Sequence, residues 1–198
     1  MWRVFAKGRR SFWNSFKFGD SNRTRVGYTG GQTLNPTYRS LGDHTEAIQI
    51  QFDPLQVSYK RLLEIFWSLH DPAEPQTAQY RSVIFVHNEK QRKIAKKFLK
   101  EKQKKMKRRI LTKVEDASQF YNAEGYHQKY RLRQSPKLMQ HFQHMSDEEL
   151  MDSFVAAKLN GYKGLYNTNA KVTRKAMKEY KSSHPDAVEH IDALLELI

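Results

Sequence analysis

The 198-residue chain contains no cysteine. Disulfide bonds, thiolate metal ligands, thiol nucleophiles and dithiol relays are therefore excluded, because each needs a cysteine sulfur. Long apolar runs are also absent, since the longest are a few residues and a membrane-spanning helix needs roughly 20. No apolar stretch of signal-peptide length follows the basic residues at the start. We expect a protein without a transmembrane segment, located in the cytoplasm or nucleus, with a mitochondrial presequence as the lesser alternative.

Positive charge is concentrated in one segment. The chain has 35 Lys plus Arg against 21 Asp plus Glu, a formal net charge of +14. Between Lys90 and Arg109 stand twelve basic residues and one acid, Glu101, which account for eleven of those fourteen charges. Like charges four residues apart on a helix repel by roughly 0.2–0.5 kcal/mol. This basic segment, residues 90–109, is either a solvated helix face or a site for an anionic partner: nucleic acid, an acidic protein or an acidic membrane surface.

Hydrophobic patterning predicts four strands and two helices in the first part of the chain. Alternating or β-branched residues predict the strands, and helical spacing of apolar residues predicts one helix capped by Ser58 and a second, basic helix capped by Asn88. The predicted strands cover residues 23–28, 46–52, 82–87 and 110–114. Glu46, at the start of its strand, is expected to hold the loop before it.

The last third of the chain has helical patterning. Ser146 and Glu149 form a capping box that predicts a helix through Leu159, with Asn160-Gly161 as its stop. Residues 169–198 predict one or two amphipathic helices divided near residues 184–185. We therefore predict an α/β (α+β) fold with a small mixed sheet flanked by helices. Residues 1–134 form the sheet-containing domain in this prediction, and residues 135–198 form a C-terminal helical extension.

Several short motifs follow one another along residues 11–130, and each is weak alone. In this order they resemble the methionine sulfoxide reductase A family, and the motif that begins at Gly42, with residues 154–162, is most similar to an animal branch of it. The motifs are Ser11-Phe12-Trp13, Val26-Gly27-Tyr28-Thr29-Gly30-Gly31, Asn35-Pro36-Thr37-Tyr38, Gly42-Asp43-His44-Thr45-Glu46-Ala47, His70-Asp71-Pro72, Gln79-Tyr80-Arg81-Ser82 and Phe120-Tyr121-Asn122-Ala123-Glu124-Gly125-Tyr126-His127-Gln128-Lys129-Tyr130.

The resemblance implies an oxidoreductase that repairs peptide methionine (S)-sulfoxide without a cofactor. In the family a cysteine at the opening of a helix attacks the sulfoxide sulfur and becomes a sulfenic acid, which other thiols reduce. The nucleophile position in this chain is Ser11. Phe12 and Trp13 would form the apolar pocket for the methyl group, and Tyr28 and Tyr80 would hydrogen-bond the sulfoxide oxygen. An oxidised-methionine peptide is the partner that the resemblance implies.

Departures from the family pattern gather at the chemistry. A serine oxygen is a poor nucleophile and forms no sulfenic acid, Ser40 stands where an acid is expected, and the stretch before Gln79 is shortened. We expect a catalytically impaired or inactive monomer, with Ser11 natural rather than engineered. The alternative is a non-catalytic module that binds nucleic acid or an acidic partner through the basic segment.

Ordinary structural roles also account for the candidate site residues. Phe12 and Trp13 are residue types common in a core, and Tyr28 and Tyr80 stand beside turn signals where a structural hydrogen bond is common. The spacing of His44, Glu46 and His127 matches no common metal motif, so we predict no metal site.

Overall fold

A mixed six-stranded sheet organises the first part of the chain. The computed structural model describes residues 2–6, 21–166, 170–183 and 185–196. Within them the strand order is β5-β4-β1-β3-β2-β6. The strands are β1 (Trp2–Ala6), β2 (Ser21–Thr29), β3 (Thr45–Phe52), β4 (Val83–Val86), β5 (Lys113–Asp116) and β6 (Tyr121–Asn122). The predicted mixed α/β fold is confirmed.

Strand β1 lies inside the sheet, between β3 and β4, and is antiparallel to both. β2 is antiparallel to β3 and to β6, whereas β4 and β5 are parallel. The alternation along β3 is confirmed, because Ile48, Ile50 and Phe52 lie in the main core while Ala47 packs with Val83 and Phe85 in a separate cluster. Successive strand residues point to opposite faces, so β3 is buried on both.

Two helices cover the main core. They are α1 (Tyr59–Ser68) and α2 (Glu89–Lys105), and both predicted caps are confirmed. Ser58 Oγ accepts from the Arg61 backbone N–H at 3.1 Å, and Asn88 Oδ1 accepts from the Gln91 N–H at 3.0 Å. Such caps satisfy backbone donors that the first helical turn leaves open. Each helix packs its apolar stripe on the sheet, with Leu62, Leu63 and Phe66 of α1 and Ala95 of α2 fully buried.

Short helices form a second core toward the C-terminus. Its fully buried members include Leu132, Leu138, Leu150, Leu159 and Leu194. No helix in the described ranges is long and apolar enough to cross a membrane. The helices toward the C-terminus are α3 (Tyr130–Arg133), α4 (Pro136–Met139), α5 (Asp147–Asp152), α6 (Phe154–Tyr166), α7 (Ala170–Ser183) and α8 (Val188–Glu196). Because α7 ends at Ser183 and α8 begins at Val188, the predicted division near residues 184–185 is confirmed.

The strand predicted over residues 110–114 is displaced toward the C-terminus, and β1 and β6 were not predicted. Residues before Lys113 form a loop: the Ile110 N–H donates to Gln103 Oε1 at 2.8 Å, and the Leu111 N–H donates to the Pro72 carbonyl at 2.8 Å. Both backbone N–H groups are therefore bonded to partners outside the sheet and do not pair with a neighbouring strand. β5 begins at Lys113 and carries the exposed charges common on an edge strand.

The helix predicted from Ser146 through Leu159 is two helices. The capping box of Ser146 and Glu149 is confirmed, but α5 ends at Asp152, and Ser153 Oγ accepts from the Ala156 N–H at 3.1 Å to start α6. The predicted stop at Asn160-Gly161 is wrong, since α6 continues to Tyr166. Asn160 is buried instead, and its Oδ1 accepts from two backbone N–H groups at the start of α3.

Candidate functional site

Four strands bring several of the motifs quoted from the sequence to one end of the sheet. Tyr28, near the end of β2, pairs with Glu46 near the start of β3 and with Tyr121 of β6. Ala6, the last residue of β1, pairs with Ala47 and with Val83, the first residue of β4. We call this the site end of the sheet, where β1 and β2 finish and β3 and β4 begin.

Tyr28 is the best-defined side chain at the site end. It is 1% exposed, and its hydroxyl donates to Glu124 Oε2 at 2.6 Å. Burial, with the hydrogen bond to Glu124 and the nearby charges of Glu124 and Glu46, raises the pKa of the Tyr28 phenol. The phenol therefore stays protonated, and its single proton is committed to Glu124.

Glu124 connects Tyr28 to a partly exposed aromatic group. Its Oε1 accepts from the Tyr38 backbone N–H at 2.9 Å, and its Oε2 lies 3.9 Å from His127 Nε2. Partial burial raises the pKa of Glu124, but the hydrogen bonds from Tyr28 and Tyr38 outweigh it and lower that pKa overall. The His127 ring lies 4.7 Å from Tyr38 and 4.3 Å from Tyr126 between ring centres. An ionised carboxylate thus lies between the Tyr28 hydroxyl and the His127 ring.

A second carboxyl group, Glu46, lies across the strand pair from Tyr28. It is 8% exposed, and Gln79 Nε2 donates to its Oε1 at 2.7 Å. Burial raises the pKa of Glu46, against the effect of the Gln79 hydrogen bond. We expected Glu46 to hold the loop before β3. That expectation is wrong, because the described hydrogen bond of Glu46 joins it to Gln79, in the turn that leads into the next strand.

Tyr80 ends a short 3₁₀ turn, Ala78–Tyr80, that leads into β4. Three hydrogen bonds fasten this turn to the start of β3: the one from Gln79 to Glu46, one from Thr45 Oγ1 to the Ala78 carbonyl at 3.0 Å, and one from Arg81 Nε to Thr45 Oγ1 at 2.7 Å. The turn places half-buried Tyr80 at the site end, at the same end of the sheet as Tyr28.

The remaining predicted positions divide into two groups. Ser11, Phe12 and Trp13 lie outside the described residues. Ser40, at the position where an acid was expected, lies exposed in a turn, where its N–H donates to the Thr37 carbonyl and to Thr37 Oγ1 at 3.1 Å each.

His44 has a structural role. Its Nδ1 accepts from the Gly31 N–H at 3.2 Å and its Nε2 lies 2.7 Å from the Thr33 carbonyl, which requires the neutral tautomer with the proton on Nε2. The neighbouring Asp43 accepts from the N–H groups of Gln32 and Thr33, and these bonds lower the pKa of Asp43. No group of three or more acidic or histidine side chains is placed to hold a metal within the described ranges.

Sequence reasoning gave no chemical role to Glu124 or Gln79, although both stand inside quoted motifs. Their membership of these motifs was the one sign in the sequence of a role at the site. Their hydrogen bonds span 96 and 33 positions, and contacts that distant leave no local sequence pattern. Gln128 of the same motif clamps β2: its Oε1 accepts from the Val26 N–H at 3.0 Å and its Nε2 donates to the Val26 carbonyl at 2.9 Å. This clamp seats Glu124 beside Tyr28.

Known proteins resemble this chain in sequence. A peptide methionine sulfoxide reductase A5 of Oryza sativa is 42% identical over 170 residues, covering 80% of this chain and 66% of its own length. A peptide methionine sulfoxide reductase of Drosophila melanogaster is 43% identical over 143 residues, covering 71% of this chain and 58% of its own length. The chain thus spans less than two thirds of each of these relatives.

Solved structures agree in fold. Reduced Mxr1 from Saccharomyces cerevisiae superposes with a TM-score of 0.61 at 25% identity, covering 69% of this chain and 86% of Mxr1. Methionine sulfoxide reductase A of Corynebacterium diphtheriae gives 0.57 at 27% identity, covering 68% of this chain and 74% of its own. The peptide methionine sulfoxide reductase family matches residues 15–159, which is more than half of the sequence. The chain therefore belongs to the peptide methionine sulfoxide reductase family.

Proposed function

We propose that this chain keeps the sulfoxide-recognition site of its family but does not complete the reduction of peptide methionine (S)-sulfoxide. The absence of cysteine from all 198 residues carries the proposal. In the reaction that the resemblance implies, a thiolate takes the sulfoxide oxygen as a sulfenic acid, which external thiols then reduce. A serine oxygen at position 11 cannot be oxidised in this way, so oxygen has no acceptor in the chain.

Chain geometry supports a recognition site at the site end. β1 runs toward that end and finishes at Ala6, beside Ala47 and Val83. Ser11 follows Ala6 by only five positions in the sequence. Tyr28 and Tyr80 stand at the same end, so Ser11, Phe12 and Trp13 are proposed to complete one cleft with them.

Polar contacts within the site support weak activation of a sulfoxide. A sulfoxide oxygen needs a donor, and the single Tyr28 proton is already committed to an ionised Glu124. Ser40 supplies no carboxyl group where the family resemblance expects an acid. With Ser40 and the shortened stretch before Gln79, Ser11 is one of several departures from the family pattern, as natural loss of catalysis would produce.

The test is a reductase assay on wild type, Ser11→Ala and Ser11→Cys, with a methionine sulfoxide peptide and dithiothreitol. We expect wild type to match Ser11→Ala at background, and Ser11→Cys to recover little activity because sulfoxide activation is weak. Turnover by wild type above Ser11→Ala would overturn the proposal of inactivity. Recovery of ordinary enzyme rates by Ser11→Cys would show instead that Ser11 is the sole defect.

Retained recognition needs its own measurement. The same peptide is titrated in its sulfoxide and sulfide forms against wild type, Tyr80→Phe and the exposed-ring control Tyr126→Phe. We expect tighter binding of the sulfoxide form, weakened about tenfold by Tyr80→Phe, as for loss of one hydrogen bond near a polar group. Equal affinity for both peptide forms would refute a retained sulfoxide site.

We also propose the setting that the sequence suggests. The chain is a monomer of the cytoplasm or nucleus, belongs to the animal-type branch, and consists of a reductase-like domain over residues 1–134 with a helical extension over residues 135–198. The second core, whose members apart from Leu132 all lie in the helices after residue 135, supports the extension. Sedimentation of the purified protein and imaging of a tagged chain test the first two points.

A second candidate function is the binding of an anionic partner by the basic segment. The lysines of α2 at positions 90, 93, 96, 97, 100, 104 and 105 are exposed. The described ion pairs of the segment involve its arginines, since Arg92 pairs with Glu89 and Asp116, and Arg108 pairs with Asp71. A row of lysines facing solvent favours a polyanion.

This candidate is tested with the variant Lys96→Gln/Lys100→Gln/Lys104→Gln/Lys107→Gln. Binding to single-stranded RNA or DNA is titrated at several salt concentrations, with folding checked by circular dichroism. If the lysines neutralise phosphates, wild-type affinity falls steeply with salt and the variant's log-log slope is shallower by up to about four. Equal slopes would mean that the basic segment is only a solvated face.

A further inference from the structure

The end of α2 carries a groove that the family's chemistry does not use. It has a volume of about 450 Å³, and Leu99 and Ile110 line it together with the lysines at positions 96, 100 and 104 and with Arg109. Ile110 is 8% exposed and belongs to the main core, so the floor of the groove is the apolar surface of the fold.

Gln103 holds the far wall of the groove in place. Its Oε1 accepts from the Ile110 N–H at 2.8 Å, and its Nε2 donates to the Arg108 carbonyl at 3.1 Å and the Met106 carbonyl at 3.3 Å. Arg108 also forms an ion pair with Asp71, in the loop that follows α1. One side chain therefore binds the loop after α2 at three points, and that loop carries Arg109.

The rim of the groove is entirely cationic. Lys96, Lys100 and Lys104 are four residues apart on α2, so they form a row about 12 Å long. Within the described residues no acid lies within 4.0 Å of these lysines or of Arg109. Four positive charges thus surround an apolar floor, and the aliphatic stems of the lysines widen that floor.

We propose that this groove binds an acidic segment of a partner protein that inserts one large apolar side chain. The inference rests on the second candidate function, anion binding by the basic segment, and names the site and the partner class. Alternate side chains of an extended peptide are about 6.6 Å apart, close to the spacing of successive lysines in the row. A Glu two positions to either side of an apolar residue points to the same side of the peptide as that residue, so the carboxylates reach the rim while the apolar residue fills the floor.

The apolar floor favours a peptide over nucleic acid. A phosphate backbone has no aliphatic group to place on Leu99 and Ile110, and single-stranded nucleic acid binds through bases stacked on aromatic rings. None of the residues that line the groove is aromatic. The concave shape also suits one inserted side chain better than a flat lipid surface.

The test uses the full chain and a labelled peptide of about seven residues with a central Leu and a Glu two positions to either side of it, a length that spans the row of lysines. Its control peptide has Ser at the centre. The groove variant is Lys96→Gln/Lys100→Gln, and the matched variant is Lys93→Gln/Lys97→Gln, which removes equal charge from the same helix outside the groove. Gln103→Ala perturbs the wall without changing the charge.

We expect the central Leu to strengthen binding about tenfold or more. The groove variant and Gln103→Ala should lose most of that binding, while the matched variant changes it less than about threefold. Equal losses in the two double variants, or equal affinity for both peptides, would overturn the groove while leaving anion binding intact. Stronger binding of single-stranded DNA or phosphatidylserine vesicles than of the peptide would overturn the partner class. No binding of any of these probes would overturn both proposals.

Discussion

The Tyr28 hydroxyl donates to Glu124 Oε2 at 2.6 Å, joining β2 to a segment 96 residues later in the chain. The bond unites a buried phenol with a carboxylate that also accepts from the Tyr38 backbone N–H. Because the donor is neutral and the acceptor charged, the bond is stronger than one between two neutral groups. It ties the sheet to the motif that contains His127 and Gln128.

Tyr28→Phe removes this bond and keeps the ring. We expect the free energy of unfolding to fall by about 1–2 kcal/mol, since Glu124 loses a partner in a partly buried place. Urea denaturation measures the change. The control is Tyr126→Phe, whose ring is 58% exposed, and it should leave stability within about 0.5 kcal/mol. A Tyr28→Phe protein as stable as this control would show that the bond contributes nothing.

Glu124→Gln should flatten the acid limb of the stability profile. The pKa of Glu124 is lowered in the folded protein, so below the ordinary value of 4.5 the unfolded chain binds more protons. Its contribution to stability is therefore present above that value and is lost as the pH falls. Urea midpoints between pH 3 and pH 6 should drop less in Glu124→Gln than in wild type. Parallel profiles would contradict this.

Glu46→Gln should change the pH dependence of stability in the opposite direction to Glu124→Gln. Burial raises the pKa of Glu46, so the folded state holds its proton at a pH where the unfolded chain has lost it. Ionisation above 4.5 therefore weakens the fold, and Gln keeps an oxygen for the Gln79 amide. Relative to wild type, Glu46→Gln should gain stability as the pH rises from 4 to 7, measured by thermal melts. A loss of stability over that interval would refute the assignment.

Because Lys129 is buried, we expect the protein to become more stable as the pH rises above neutral. It is 4% exposed, its Nζ donates to the carbonyls of Thr24 and Met151, and burial lowers its pKa to about 7, against the attraction of Asp152. The unfolded chain therefore binds more protons between about 7 and 10.5, and stability rises with pH there.

The variant Lys129→Met keeps the apolar stem and loses the titrating group. The stability difference between wild type and this variant should grow in favour of wild type by on the order of 1–2 kcal/mol from pH 7 to pH 9. Urea unfolding at the two pH values measures it, with exposed Lys60→Met as the control for loss of a lysine. A difference that does not change with pH would contradict the assignment.

Local signals predicted the parts of the fold that depend on neighbours in sequence. Ser58, Asn88 and the capping box at Ser146 mark helix starts because their partners lie three residues away. Asn160 was misread as a helix stop because its partners, the N–H groups of Arg131 and Leu132, are 29 and 28 positions distant. A buried Asn inside a helix and a capping Asn look alike in sequence.

The site followed the same rule. Tyr28 and Tyr80 were predicted through motif resemblance, and strand pairing brings their segments to one end of the sheet. The Glu124 and Gln79 contacts were missed because they depend on how β2, β3 and later segments meet. The groove beside α2 was invisible for a related reason: residues 90–109 showed the charge, whereas the Gln103 clamp that shapes the groove exists only after the loop folds back.

The interior position of β1 has a consequence for how the chain folds. β2 and β3 are neighbours along the chain and can pair early, but β1 must reach β3 and β4 across residues 7–44 and 7–82. Closing such long loops is slow, because chain entropy is lost before any contact compensates for it. Until β1 docks, β3 and β4 each present an open row of backbone donors and acceptors to other chains. We therefore expect β1, Trp2–Ala6, to join the sheet last, and we expect its deletion to leave β3 and β4 open to pairing with other chains, which light scattering during refolding would detect as aggregation.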